Sequence, residues 1–134
     1  MAKIKLDVIT PLGAFLSEEV DEVTVPGVSG RFGVYEGHRP GLSMLGGGRV
    51  VYTSGGEERE LFIRGGVAEV QADGVLILAD NAENPDDLDR ELADKLLEEV
   101  TAELDKGEFL DDGRSLRLAG DRDYAEAVKE RLSH

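Results

Sequence analysis

The hydrophobic period of this chain changes once, at Asn84-Pro85, and that change limits what each side can become. Before it, apolar residues recur at every second position. Ile4, Leu6 and Val8 alternate with Lys3, Lys5 and Asp7; Val23 and Val25 precede Pro26; Val50 and Tyr52 lead into Ser54-Gly55-Gly56, after which Leu61 and Ile63 return. Period two is the mark of a half-buried strand. Gly55-Gly56 between two such runs predicts a hairpin, because Gly reaches positive φ without strain. Residues 67–70 and 75–78, with Asp73-Gly74 between them, predict a second one. Short strands joined by Gly-rich turns point to an antiparallel sandwich or barrel.

After the change the apolar spacing is four. Leu88, Leu92, Leu96, Val100 and Leu104 form a row that Ala93 and Leu97 widen, which predicts an amphipathic helix. Asn84 with Pro85 at the first helical position can cap it, and Asp86 competes for that place. Gly107 is placed to stop it. Residues 107–120 read as a loop, with Asp112-Gly113 and Gly120 in it. Asp121 then caps a shorter helix carrying Tyr124, Val128 and Leu132. The expected division is a β domain over 1–84 and a helix-loop-helix over 85–134. Such a hairpin is too small to bury its own stripes and must pack on the sandwich or on a partner.

Composition excludes several classes. With 40% hydrophobic and 33% charged residues the chain is globular, and without Cys it has no disulfide or thiolate metal site. The net charge is -14, from 13 acids against 7 bases over 1–85 and 16 against 8 over 86–134. A surface this acidic does not neutralise phosphates, so nucleic acid is not an expected partner. It reads as solubility, in a salt-rich cytoplasm for instance, or as attraction to a basic partner. The N-terminus lacks the character of a signal or transit peptide. No apolar run approaches the roughly 20 residues that span a bilayer, so no direct membrane insertion is expected.

Catalytic chemistry finds no purchase. His38 and His134 lie far apart in sequence, and no Gly-x-Ser-x-Gly elbow is present. Gly46-Gly47-Gly48 lacks the Lys-Ser/Thr pair of a P-loop, and it and Gly65-Gly66 read as turn or bulge glycines. Acid pairs such as Glu18-Glu19, Glu57-Glu58 and Asp86-Asp87 flank turns, and without Trp no sugar-stacking cleft goes with them. No catalytic, cofactor-binding or metal-ligating residue is expected.

One segment demands more. In Gly30-Arg31-Phe32-Gly33-Val34-Tyr35-Glu36-Gly37-His38-Arg39-Pro40-Gly41-Leu42, glycines recur at 30, 33, 37 and 41 and Pro40 fixes the end. The backbone course is therefore tight. Phe32, Val34 and Tyr35 are expected to anchor it to the core, with Arg31, Glu36, His38 and Arg39 outward. This is a well-packed turn or a docking surface.

That segment resembles the Gly-His-x-Pro loop of the epsilon subunits of rotary, proton-translocating ATP synthases. Leu6-Asp7-Val8-Ile9-Thr10-Pro11 is similar to the family's first strand, Gly65-Gly66-Val67-Ala68-Glu69-Val70 to its Gly-Gly-x-x-Glu-Val strand, and residues 75–83 to the strand that closes its β domain. The four matches stand in order. The resemblance implies an N-terminal antiparallel β-sandwich followed by a C-terminal α-helical hairpin. It implies a non-catalytic rotor subunit that binds the gamma subunit, rests on the c-ring and reaches the catalytic alpha/beta head through its helices. Such a subunit sits peripherally on the cytoplasmic face of the bacterial membrane and can restrain ATP hydrolysis. The c-ring contact would fall on Arg31, Glu36, His38, Arg39 and Ser43. Arg31 departs from the pattern, in which an acid is common, and a reversed charge changes what it can pair with.

Some relatives bind ATP through Asp-x-x-Arg-Ala at the first helix. Here Asp89 is followed by Leu92 in the Arg position, and Leu92 is expected to pack on the apolar stripe; no cofactor is implied. The second helix resembles the family's at residues 121–125 and ends sooner than in long inhibitory members. The alternative from a different class is a free-standing β-sandwich adaptor with an acidic helical tail.

Overall fold

A computed structural model describes residues 3–107 and 111–133, so that His134 lies outside the described residues. The strands are β1 Ile4–Thr10, β2 Gly13–Val20, β3 Glu22–Gly27, β4 Gly30–Tyr35, β5 Gly41–Ser54, β6 Glu57–Gln71, β7 Gly74–Ala79 and β8 Ala82–Glu83. They hydrogen-bond in the order β2-β1-β7-β6-β5-β3-β4, with β8 on β6. β5 and β6 are long enough to serve two layers. The start of β5 pairs with residues 66–70 beside β7, and its end pairs with residues 57–61 beside β3. Between these halves lie Gly46-Gly47-Gly48 and Gly65-Gly66, with positive φ at Gly48, Gly65 and Gly66. The sheet folds over itself there and closes a sandwich. Ile4, Leu6 and Val8 meet Val75 and Ile77 of one layer and Val23, Val34, Val50 and Leu61 of the other. Each such side chain taken out of water contributes about 1.5–3 kcal/mol.

Gly55 and Gly56 form the expected two-residue turn, with φ of +59° and +80°. The second hairpin turns one residue earlier than the Asp-Gly pair suggests. Gln71 pairs with Gly74, leaving Ala72-Asp73 at the tip. Gly74 is needed for another reason: a Cβ there would stand 2.8 Å from the Lys5 carbonyl oxygen. The sandwich is also not wholly antiparallel, because β1 runs parallel to β7.

The helical half departs further from the period reading. Pro85–Asp87 forms only a 3-10 turn, and Asn84 gives it no side-chain hydrogen bond. The helix α1 begins later, at Arg90, and runs to Asp105. Its cap is Asp89, whose carboxylate accepts from the amides of Glu91 at 2.9 Å and Leu92 at 3.3 Å. Three acids in four positions, 86, 87 and 89, all suit a cap, and spacing alone does not choose among them. Gly107, φ +66°, stands just past the end of α1 and its Lys106 cap, as expected. The expected loop over 107–120 is mostly helix instead: α2 spans Asp112–Leu132, capped by Asp111 through the Arg114 amide at 2.7 Å.

Gly113 and Gly120 argued against helix by propensity, and tertiary packing overrides them. α2 lies across the bend of β5 at Gly47, and the approach is backbone to backbone. A second apolar cluster fills the space beside it: Phe62, Ala93, Tyr124, Ala125 and Val128, flanked by Leu88, Leu96 and Leu97. Phe62 interrupts the alternation of Leu61 and Ile63 because its face of the sheet is covered by the hairpin; it is completely buried.

Leu92 does not pack on that stripe and is 63% exposed. Residues four apart advance about 40° beyond a full turn, so the row drifts across the helix surface: Val100 reaches the buried face it shares with Ala93, while Leu92, two steps earlier, stands to one side of it. Polar ties complete the docking. Arg64 meets Asp121 at 3.1 Å and its guanidinium lies over the Tyr124 ring, 5.3 Å from the centroid. The Tyr124 hydroxyl donates to Glu83. Glu60 of β6 is held by Arg131 of α2 at 2.6 Å and by Arg49 of β5 at 3.2 Å. Lys129 joins Asp94 across the hairpin at 2.8 Å.

Candidate functional site

The turn between β4 and β5 carries Glu36, His38 and Arg39 at one end of the sandwich. Its course is fixed by backbone bonds: the His38 amide donates to Tyr35, and the Gly37 amide, at φ +82°, donates to Ala72 in the neighbouring β6–β7 turn. His38 is half-buried while Glu36 and Arg39 are exposed. Nδ1 of His38 lies 2.8 Å from the Arg39 carbonyl oxygen. A carbonyl only accepts, so Nδ1 carries the proton and Nε2 remains available as an acceptor in the neutral ring. Ser43 follows on β5, half-buried opposite Ala68.

Two expectations for this segment need correction. Tyr35 does not anchor the loop to the core. On β4, Phe32 and Val34 face inward, so the next residue must face out, and Tyr35 is 61% exposed. Arg31 does not join His38 and Arg39. It is the second residue of β4, at the strand's opposite end, beside the β3–β4 turn and α2.

The sheet face next to the turn holds a feature that alternation did not reveal. Met44 pairs with Val67, Val67 with Leu78, and Leu78 with Ile9, so four apolar side chains cross β5, β6, β7 and β1 in register. Partners directly opposite one another share a face, and this face is the outer one: Met44, Leu78 and Ile9 all stand well exposed. Leu42, 73% exposed, and Leu76 extend the row toward the turn. The signal was present in the unbroken run Val75-Leu76-Ile77-Leu78-Ala79. A strand apolar on both faces is covered on both faces, and nothing among the described residues covers the second.

Asp89 spends its carboxylate on the α1 cap, and Leu92 offers no phosphate donor. Among the described residues no group of three or more His, Asp or Glu side chains could hold a metal ion. No helix among them is long and apolar enough to cross a membrane.

A β-sandwich with an attached helical hairpin, open on one apolar face, is a recognisable class. The model of the ATP synthase delta/epsilon chain β-sandwich domain matches residues 3–85. The chain belongs to the ATP synthase delta/epsilon family. The relatives are epsilon chains in particular. The ATP synthase epsilon chain of Nitrobacter winogradskyi is 37% identical over 126 residues, covering 87% of this chain and 93% of that one. That of Anaeromyxobacter dehalogenans is 38% identical over 116 residues, covering 87% and 88%. A chain in the Euglena gracilis mitochondrial ATP synthase, in a structure of its OSCP, F1 and c-ring, superposes with a TM-score of 0.75 at 26% identity, covering 98% of this chain and 82% of that one.

Proposed function

We propose that this ATP synthase subunit is a rotor component of the central stalk that joins the gamma subunit to the c-ring. The observation that carries the reading is the apolar row Met44–Val67–Leu78–Ile9, in register across four strands and open on the outer face. A contiguous exposed apolar patch on a well-packed sandwich marks a protein partner, and the row is assigned to gamma. The glycine-pinned turn with Glu36, His38 and Arg39, and Ser43 behind it, is assigned to the polar loops of the c-ring. Polar, conformationally fixed loops on a rigid sheet suit such a contact. The helical half, 85–134, is the part that reaches the alpha/beta head, where it can restrain ATP hydrolysis. It docks on the sandwich through the cluster around Phe62 of β6, and the division into 1–84 and 85–134 follows the change from strand β8 to the 3-10 turn.

On this reading the chain has no catalytic centre and works peripherally at the cytoplasmic face of the membrane. Purification of the native synthase tests it. The chain is expected to co-purify with gamma and the c-ring, and a Leu78→Glu chain that still joins them as well as the wild type would overturn the assignment of the row.

A further inference from the structure

The apolar row Met44–Val67–Leu78–Ile9 runs up to the helical hairpin. Met44 stands at its β5 end, and just beyond, at Gly47, α2 crosses the strand. Between the row and the helix lies a groove of about 570 Å³. Met44 and Val67 line its sandwich side, and Leu116 of α2 lines the other. Gly46, Gly65 and Gly66 contribute main chain only, so an incoming side chain can approach closely.

Leu116 lies one turn before Gly120, on the side of α2 that packs against the sandwich, because residues four apart are neighbours on a helix surface. Gly120, Tyr124 and Val128 of that side are buried, while Leu116 is 40% exposed. What covers those three leaves Leu116 open to the same groove as Met44, itself 53% exposed. The polar groups of the groove are balanced. Arg64 and Arg117 stand with Asp80 and Asp121, and Arg64 is already joined to Asp121 at 3.1 Å. The groove therefore has no net charge to attract an ion, and what it offers is apolar surface. Exposed apolar side chains from two elements, converging beside a larger apolar row, form one continuous surface for a protein partner.

We propose that α2 supplies part of the seat for the gamma subunit: Leu116, with the hairpin docked, packs together with Met44 around an apolar side chain of gamma. This rests on the assignment of the row to gamma. A partner that bridges the sandwich and α2 binds the docked hairpin better than a displaced one, and the linkage is reciprocal. Gamma therefore holds α2 against the sandwich, and a docked α2 raises the affinity for gamma by the same factor.

The test is equilibrium binding of the purified gamma subunit to the full-length chain, with hydrogen exchange read in the free and the bound chain. Leu116→Gln is expected to weaken binding about fivefold, the contribution of the exposed part of one leucine. The amides of residues 116–120 should exchange more slowly in the complex than in the free chain, and the slowing should shrink in Leu116→Gln. Leu78→Glu, on the row and outside the groove, separates the two readings. Weakened binding in Leu78→Glu with unchanged binding in Leu116→Gln overturns the role of α2 and leaves the row with gamma. Unchanged binding in Leu78→Glu overturns the assignment of the row and this inference with it. Faster exchange in α2 on binding, as when the helix leaves the sandwich, or no change there, also overturns the proposal. Leu116 is exposed, so Leu116→Gln is expected to fold, and unaltered exchange of α2 in the free variant checks that the helix docks as before.

Discussion

Gly47 of β5 and Gly120 of α2 touch main chain to main chain, and the contact is unequal. A Cβ on Gly47 would fall 2.0 Å from the Gly120 carbonyl oxygen and 2.7 Å from the Tyr124 Cβ. A Cβ on Gly120 would find its nearest neighbour at 3.6 Å, an ordinary contact. Gly47→Ala is therefore expected to push α2 off the sandwich, at about 1–3 kcal/mol for an overpacked contact. Gly120→Ala is expected to be neutral or to stabilise by up to about 1 kcal/mol, the gain of Ala over Gly inside a helix. Hydrogen exchange in α2 reads both: faster in Gly47→Ala, unchanged or slower in Gly120→Ala. Equal effects from the two would show that this contact does not set the helix position.

Tyr124 ties α2 to β8 through Glu83. Burial and then the bond to Glu83 raise the Tyr124 hydroxyl well above its ordinary 10.0. The folded state therefore holds a proton that the unfolded state releases near pH 10. The stability linked to it is complete below that pH and is lost as pH rises toward the folded value. Denaturant unfolding at pH 8 and pH 11 should show a fall in the wild type that is smaller in Tyr124→Phe. At pH 8 the variant should lose about 1 kcal/mol for the missing bond.

Met44→Glu places a charge in the exposed apolar row. Folding stability should stay within about 0.5 kcal/mol, as for most surface changes. Affinity for gamma should fall about tenfold or more, the loss typical of an interface centre. Equilibrium binding of the two purified subunits measures it, and unchanged affinity would remove Met44 from the contact.

Asp89→Ala removes the α1 cap and should cost about 1 kcal/mol. It should not alter nucleotide binding, since the carboxylate is committed to two amides. Calorimetry with ATP on both chains decides this; an affinity that disappears with Asp89 would contradict it.

Much of the β half was legible, because alternation and the Gly55-Gly56 turn are local properties of the chain. What escaped depends on what covers a face. Phe62 looks like a break in alternation until α2 is laid over it. Gly113 and Gly120 look like loop residues until α2 is seen docked on the bend at Gly47, where tertiary packing outweighs their low helix propensity. Spacing by four puts Leu92 on the packed row only when the angular drift along the helix is ignored. Of the candidate site, the turn at Glu36–Arg39 was readable from its glycines. The removal of Arg31 to the opposite end of β4 was not, since sequence distance along β4 does not say which neighbours its two ends meet. The apolar row needs four strands in register, and only the fold supplies that register.

The parallel pairing of β1 with β7 has a consequence for biogenesis. Lys5 is bonded opposite Gly74 and Ile9 opposite Leu78, a separation of 69 positions in each case, 74 minus 5 and 78 minus 9. A nascent chain leaving the ribosome can form β1 with β2, and later β5 with β6, from near neighbours. It cannot seal the edge of β1 until residue 79 has emerged. Pairing across so long a loop is slow compared with hairpin closure, so Ile4, Leu6 and Val8 wait uncovered through most of translation. The ribosome has by then begun the helical half, which docks onto a β5–β6 platform already built from local contacts.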